Sequence, residues 1–330
     1  MERRTITQVT LDSTRVSSEF GRMDNTTALT FTMTAYAVME NYKHCMFVVF
    51  LLLYLITIIL NVLLITVIHQ NRELQQPMNV FTCVLSINEM YGSTALLPTI
   101  MAVLLAKTHE ITVKWCMAQI YFLHTYASAE FCILAVMGYD RYVAICYPLH
   151  YHSIMSNSKV GKLIALAVFY PLVVFGSFYS LTLQLSFCGK VIPKLYCVNM
   201  ELVKNSCSAA SYISIVGLAL ILFLVLPQLL MIVFSYVQIS RVCMRLSRES
   251  QHNALKTCIP HLLSLTNYTI ASLFEIIQTR FNMSHVAVEA RIFLSLYFAI
   301  LPPIANPVLY GLVTRKAPGE PELRPQTFLL

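Results

Sequence analysis

The chain has 330 residues, of which 57% are hydrophobic and 12% charged, with a formal net charge of +7. Soluble domains carry about 25% charge, so this chain has too little polar surface for water, and lipid is the solvent that suits it. The positive balance then reads as charge flanking a membrane rather than as a nucleic-acid surface, and no P-loop, GxSxG or HExxH pattern argues for an enzyme.

In chain order, residues 1–44 hold no apolar run long enough for a signal-peptide core, so the first hydrophobic block is expected to act as an uncleaved anchor. The segment reads as a polar, flexible tail. Met23 reads as a second start site, leaving residues 1–22 as an extension without a folded role. Asn25-Thr26-Thr27 is an N-glycosylation sequon, which favours an extracellular N-terminus.

A run of roughly 20 apolar residues spans a bilayer as a helix. Seven such blocks follow, at residues 46–68, 78–105, 116–146, 163–185, 208–239, 257–277 and 290–313. The first holds no charge, and its strongest polar group is Asn61. The second and sixth are the least secure, because they contain Glu89 and Glu275. Pro98, Pro171, Pro227 and Pro303 fall inside blocks. Membrane helices tolerate proline where neighbours satisfy the freed backbone groups. The expected fold is an all-α integral membrane protein. A seven-transmembrane helix bundle covers residues 45–313, between an outer tail (1–44) and a short inner one (314–330).

Ten Lys and Arg lie near the inner helix ends against seven in the outer loops, a weak excess that agrees with an extracellular N-terminus and a cytoplasmic C-terminus. A second sequon, Asn282-Met283-Ser284, falls in the third outer loop. Of ten cysteines, Cys116, Cys188, Cys197 and Cys207 would face outside, where disulfides persist. Spacing leaves all three pairings open.

The third block ends in MGYDRYVAICYPLHY, residues 137–151. This segment resembles the hallmark of olfactory receptors, within the rhodopsin-like G-protein-coupled receptors, although that family usually has Ala where Gly138 stands. Other matches follow in order: Pro77-Met78 and LSINE at residues 85–89, Ser235-Tyr236, Lys256-Thr257-Cys258 with His261, and Asn306-Pro307-Val308-Leu309-Tyr310. The resemblance covers residues 40–315, and the wording of residues 88–93 and 196–207 is similar to bony-fish members.

The resemblance implies two disulfides, Cys116–Cys197 and Cys188–Cys207, which would pin the long outer loop as a lid. It implies that Asp140 holds Arg141 at rest and that activation frees the arginine to contact a G protein. Tyr142, Tyr236, Lys256, His261, Asn306, Pro307 and Tyr310 are the remaining parts of that switch.

Helical periodicity adds its own reading. Positions 123, 127, 130, 134, 137 and 141 share one stripe of the third helix. Leu123, Ala127, His124 and Ser128 are therefore expected near the top of a ligand cavity. Leu123 stands where amine receptors carry an Asp counter-ion, so neutral organic ligands are favoured. Glu89 and Glu130 lie mid-helix without an adjacent base, and intramembrane carboxylates are functional by default. With Asn61 and Asn306 they could form a hydrated polar cluster. Two close carboxylates do not both ionise cheaply, so either a cation binds there or one carboxyl is protonated. The resemblance implies sodium, because the rhodopsin class usually has Asp where Glu89 stands and binds a sodium ion at that site.

The chain departs from the family after Lys316, where Pro318, Gly319, Pro321 and Pro325 forbid the usual membrane-surface helix. Val198 also replaces an acidic residue frequent after the lid cysteine. The expected function is odorant binding with activation of a stimulatory heterotrimeric G protein and a rise in cyclic AMP. The expected place is the plasma membrane of olfactory neurons. The partners are a small odorant, the G protein and lipid; no cofactor, nucleic acid or catalysis is expected. A receptor for another ligand, a non-signalling product, and a transporter or channel are the alternatives.

Overall fold

The computed structural model describes residues 29–207, 211–281 and 286–314. Seven long helices dominate them. They are α1 (Lys43–Gln70), α2 (Pro77–Leu105), α3 (Val113–Cys146), α4 (Asn157–Leu183), α5 (Ser211–Cys243), α6 (Arg248–Arg280) and α7 (Val288–Thr314). Six of them are long and apolar enough to cross a membrane; α6 is as long but too polar to count by composition. Asn25, Asn282, residues 1–22 and the tail beyond Thr314 lie outside the described residues.

The helices are patterned inside out. Along α1 the buried positions are Phe50, Thr57, Asn61, Leu64 and Ile68, at spacings of three, four and seven. Leu52, Ile56, Ile59 and Leu63 on the opposite face are 43–62% exposed. In lipid an exposed leucine costs nothing, so small and polar groups turn inward to pack and to hydrogen-bond. Helix α3 is buried along most of its length and packs against α2, α4, α5 and α6, which makes it the central post.

Proline in these helices removes one N–H and leaves the carbonyl four residues earlier without its usual donor. Two of those carbonyls are met by side chains from neighbouring helices. Pro307 frees the Pro303 carbonyl, and Asn61 Nδ2 on α1 donates to it at 2.9 Å. Pro227 frees the Phe223 carbonyl, and Tyr170 on α4 donates its hydroxyl there at 3.2 Å. Each repair also joins two helices.

The tail does not follow the sequence reading throughout. Residues 1–44 were expected to be flexible, yet Thr30–Met33 form strand β1 and Thr34–Tyr42 a 3-10 helix. β1 lies between β2 (Glu110–Thr112), antiparallel with Phe31 opposite Ile111, and β3 (Val191–Ile192), parallel with Thr32 opposite Val191. Phe31 and Tyr36 are wholly buried, and the Tyr36 hydroxyl donates to the Leu195 carbonyl at 2.7 Å. The segment is held because it supplies the middle strand of a sheet whose other strands come from the α2–α3 and α4–α5 connections. A clasp closes it: Glu40 accepts from Lys43 at 2.5 Å and meets His109 Nε2 at 2.9 Å. These contacts, Lys43 first and His109 second, hold the Glu40 carboxyl below its ordinary range.

Candidate functional site

Three layers thread the bundle. The layer under the disulfide-linked loop is a lidded cavity of about 170 Å³ between α2, α3, α4, α5, α6 and α7. All four residues expected there, Leu123, His124, Ala127 and Ser128, line it, among mostly aliphatic and phenylalanine side chains. The His124 ring stacks on Phe175 at 4.8 Å, and its Nδ1 donates to the Ile120 carbonyl at 2.9 Å.

The lid is residues 188–207, and two disulfides fix it: Cys116–Cys197 ties it to the top of α3, and Cys188–Cys207 closes it on itself. Gln119 on α3 reinforces the first bond, accepting from the Cys197 backbone N–H at 2.9 Å while donating to the Ala95 carbonyl on α2 at 3.2 Å. A polar latch joins lid to helices. Lys194 Nζ lies 3.6 Å from Glu275 Oε1 on α6 and 3.4 Å from Ser295 Oγ on α7. Gln278 donates to both Glu275 and Ser295. The sequence reading treated Glu275 only as a blemish in the sixth block and missed the latch, since its partner lies in a distant loop.

The middle layer brings Glu89 and Glu130 together, both fully buried. Asn306 Nδ2 donates to Glu89 Oε1 at 2.5 Å and more weakly to Glu130 Oε1 at 3.4 Å. Asn88, which the sequence reading passed over, donates to Glu130 Oε2 at 2.8 Å and to the Tyr126 carbonyl at 3.1 Å. The signal was available: a second polar residue adjacent to an intramembrane carboxylate. Asn61 is set apart from the carboxylates, bonded to the Thr57 and Pro303 carbonyls. Two buried acceptor atoms of this layer, Glu89 Oε2 and Asn306 Oδ1, have no hydrogen-bond partner among the described residues, and neither has Asn61 Oδ1 beside them. Hard oxygen acceptors of this kind fit a small hard cation.

The inner layer sits around Arg141. Its guanidinium contacts Asp140 Oδ2 through Nη2 at 2.5 Å and Nε at 3.1 Å. Asp140 Oδ1 accepts from the Tyr151 hydroxyl at 2.7 Å. Across the bundle His261 is wholly buried. Its Nε2 faces the Leu134 carbonyl at 2.9 Å, and a carbonyl only accepts, so that nitrogen carries the proton. Nδ1 then accepts from the Tyr236 hydroxyl at 2.5 Å. Tyr310 is buried nearby. Tyr142 stands apart, its ring 5.6 Å from Phe234 and 5.7 Å from Tyr147. Lys256 is exposed on α6, and Pro307 follows Asn306 on α7.

A family model described as olfactory receptor matches residues 50–319. Human Olfactory receptor 52D1 is 30% identical over 301 residues, which cover 91% of this chain and 95% of that protein. Human Olfactory receptor 51L1 is 31% identical over 288 residues, 87% and 91% of the two chains. Human Olfactory receptor 5AC2 is 33% identical over 276 residues, 82% and 87% of the two chains. With the apolar helices and the two disulfides, these matches define a multi-pass membrane receptor of the G-protein-coupled class. Within that class, the chain belongs to the olfactory receptor family.

Proposed function

We propose that the chain spans the membrane seven times, with the lid outside, and binds a small, mainly neutral odorant in the cavity beneath it. The observation that carries this reading is the cavity itself: an apolar chamber closed by a cross-linked lid and walled by six helices, with few polar groups. Helix α6 crosses as the seventh span because its polar residues point to partners rather than to lipid. Examples are His261, Tyr268 and Ser272, all buried.

Odorant binding favours an outward swing of the inner end of α6. His261 and Tyr236 join the inner ends of α6, α3 and α5, so they hold the closed form. Arg141 leaves Asp140 when α6 moves, and with Tyr236 and Tyr310 it meets a stimulatory heterotrimeric G protein that raises cyclic AMP. Glu89, Glu130 and Asn306 hold a sodium ion or a shared proton that favours the closed form, with Asn61 bracing α7 beside them. The ion neutralises charge and does no chemistry; no bond is made or broken. The protein works at the plasma membrane of a sensory neuron, with sugars on Asn25 and Asn282.

The test is a cyclic-AMP reporter assay in cells carrying the receptor at their surface, against a panel of neutral and charged odorants. A saturable rise with at least one neutral odorant is the expected result. A receptor present at the surface that answers to none of them, or that answers while the G protein is absent, contradicts the reading.

A further inference from the structure

A second chamber of about 380 Å³ lies beside the lid on the same outer face, and its chemistry is unlike that of the first. Its walls come from residues 193–195, the short helix Asn199–Lys204, the outer end of α6 and the first turns of α7. Four cations reach it, Lys194, Lys204, Arg280 and Arg291, against one carboxylate, Glu201.

The partners of these cations do not balance them. Lys204 meets Glu201 at 2.7 Å, and Lys194 lies 3.6 Å from Glu275, which lines the first cavity instead. Arg280 donates through Nη1 to the Ser214 carbonyl at 3.1 Å and its hydroxyl at 2.9 Å, both neutral groups. Arg291 Nε is buried without a hydrogen-bond partner among the described residues. Among those residues neither guanidinium is salt-bridged to a carboxylate. A partly buried guanidinium without an acid is costly, and its planar fork matches an oxyanion. Burial also holds the Lys194 ammonium below the ordinary lysine range; Glu275 and Glu201 oppose that, and Arg291 adds to it.

We propose that this outer chamber binds a small multivalent oxyanion of the phosphate type, held by Arg291, Arg280, Lys204 and Lys194. The inference has a consequence for the lid. Lys194 also faces Glu275, so an anion in the chamber competes for the ammonium that ties the lid to α6. Occupancy of the chamber therefore loosens the latch over the neighbouring cavity without entering it. The same chemistry is offered by a soluble phosphate compound and by an anionic lipid headgroup, and the experiment separates them.

Full-length receptor is placed in nanodiscs of neutral phosphatidylcholine, and its melting temperature is followed as pyrophosphate replaces chloride at constant ionic strength. A parallel set of discs carries phosphatidylglycerol and no added pyrophosphate. The expected result is a saturable rise of about 3 °C or more in one of the two arms, which names the source. At least half of it is lost in Arg291→Gln and in Lys204→Gln; the latter side chain is 55% exposed, so its variant is expected to fold. No rise in either arm, or an equal rise in both variants, overturns the proposal. The readout needs no odorant and no G protein, so its failure leaves the odorant reading standing.

Discussion

Gly92 and Gly138 show how much one methyl group decides in this bundle. A Cβ added at Gly92 on α2 would lie 2.5 Å from the Tyr126 ring on α3, a distance at which ring or helix must move. Gly92→Ala is therefore expected to destabilise by about 1–3 kcal/mol, as overpacking does, and a lowered melting temperature of purified protein checks it. At Gly138 the added carbon would sit 3.5 Å from the His261 ring, in ordinary contact. Gly138→Ala should fold normally and brace the His261–Tyr236 pair, lowering ligand-free cyclic AMP; an increase would count against the pair as a closed-state brace. Tyr236→Phe makes the opposite prediction. It removes the donor to His261 Nδ1, so ligand-free signalling should rise, while the odorant-driven maximum, which draws on the same hydroxyl beside Arg141, should fall. In the middle layer, Glu89→Gln keeps the shape and removes one of two facing carboxyls. The expected outcome is an altered response amplitude or sodium dependence; unchanged dose–response curves at several sodium concentrations would dismiss the cation idea.

At the scale of elements, the helices were legible in the sequence and their ends less so. Hydropathy located six blocks firmly and the sixth in order only weakly, and α6 begins nine residues before its apolar run, at Arg248. Its start is set by Ser247, whose hydroxyl accepts from the Ser250 N–H at 3.3 Å, and capping is blind to hydropathy. The N-terminal strand was not legible, because TFTM has no reason to be extended until residues 110–112 and 191–192 lie beside it. The pairing is non-local, and local pattern does not carry it. The polar layers were half legible: Glu89, Glu130 and Asn306 announced themselves as charges and amides in apolar runs. The latch of Lys194 with Glu275 needed the folded loop.

Two element-level tests follow from these contacts. Asn61→Leu leaves the Pro303 carbonyl without its donor and should cost about 1–3 kcal/mol, read as a lower melting temperature. The Glu40 clasp gives a pH test. Its carboxyl is held below the ordinary value of 4.5, so its contribution is complete above that value and is lost as pH falls through the depressed one. Hydrogen exchange across residues 30–42 should therefore show an added loss of protection on acidification in the wild type that is missing in Glu40→Gln. A wild type no different from the variant would remove the clasp as an anchor.

The whole molecule reads as a stack: a cross-linked lid and apolar chamber at one end, buried carboxyls in the middle, and a paired arginine at the other end. Helix α3 runs through all three, carrying Leu123 and Ser128 at the chamber, Glu130 in the middle and Arg141 at the far end. The most direct test of this account is a cyclic-AMP dose–response with an activating odorant on surface-normalised wild type and Ser128→Phe, which fills the chamber without touching Arg141. The account predicts a saturable wild-type response whose midpoint moves at least about tenfold in the variant, roughly 1.4 kcal/mol of lost binding. The same midpoint and amplitude in both proteins would place the ligand elsewhere and contradict it.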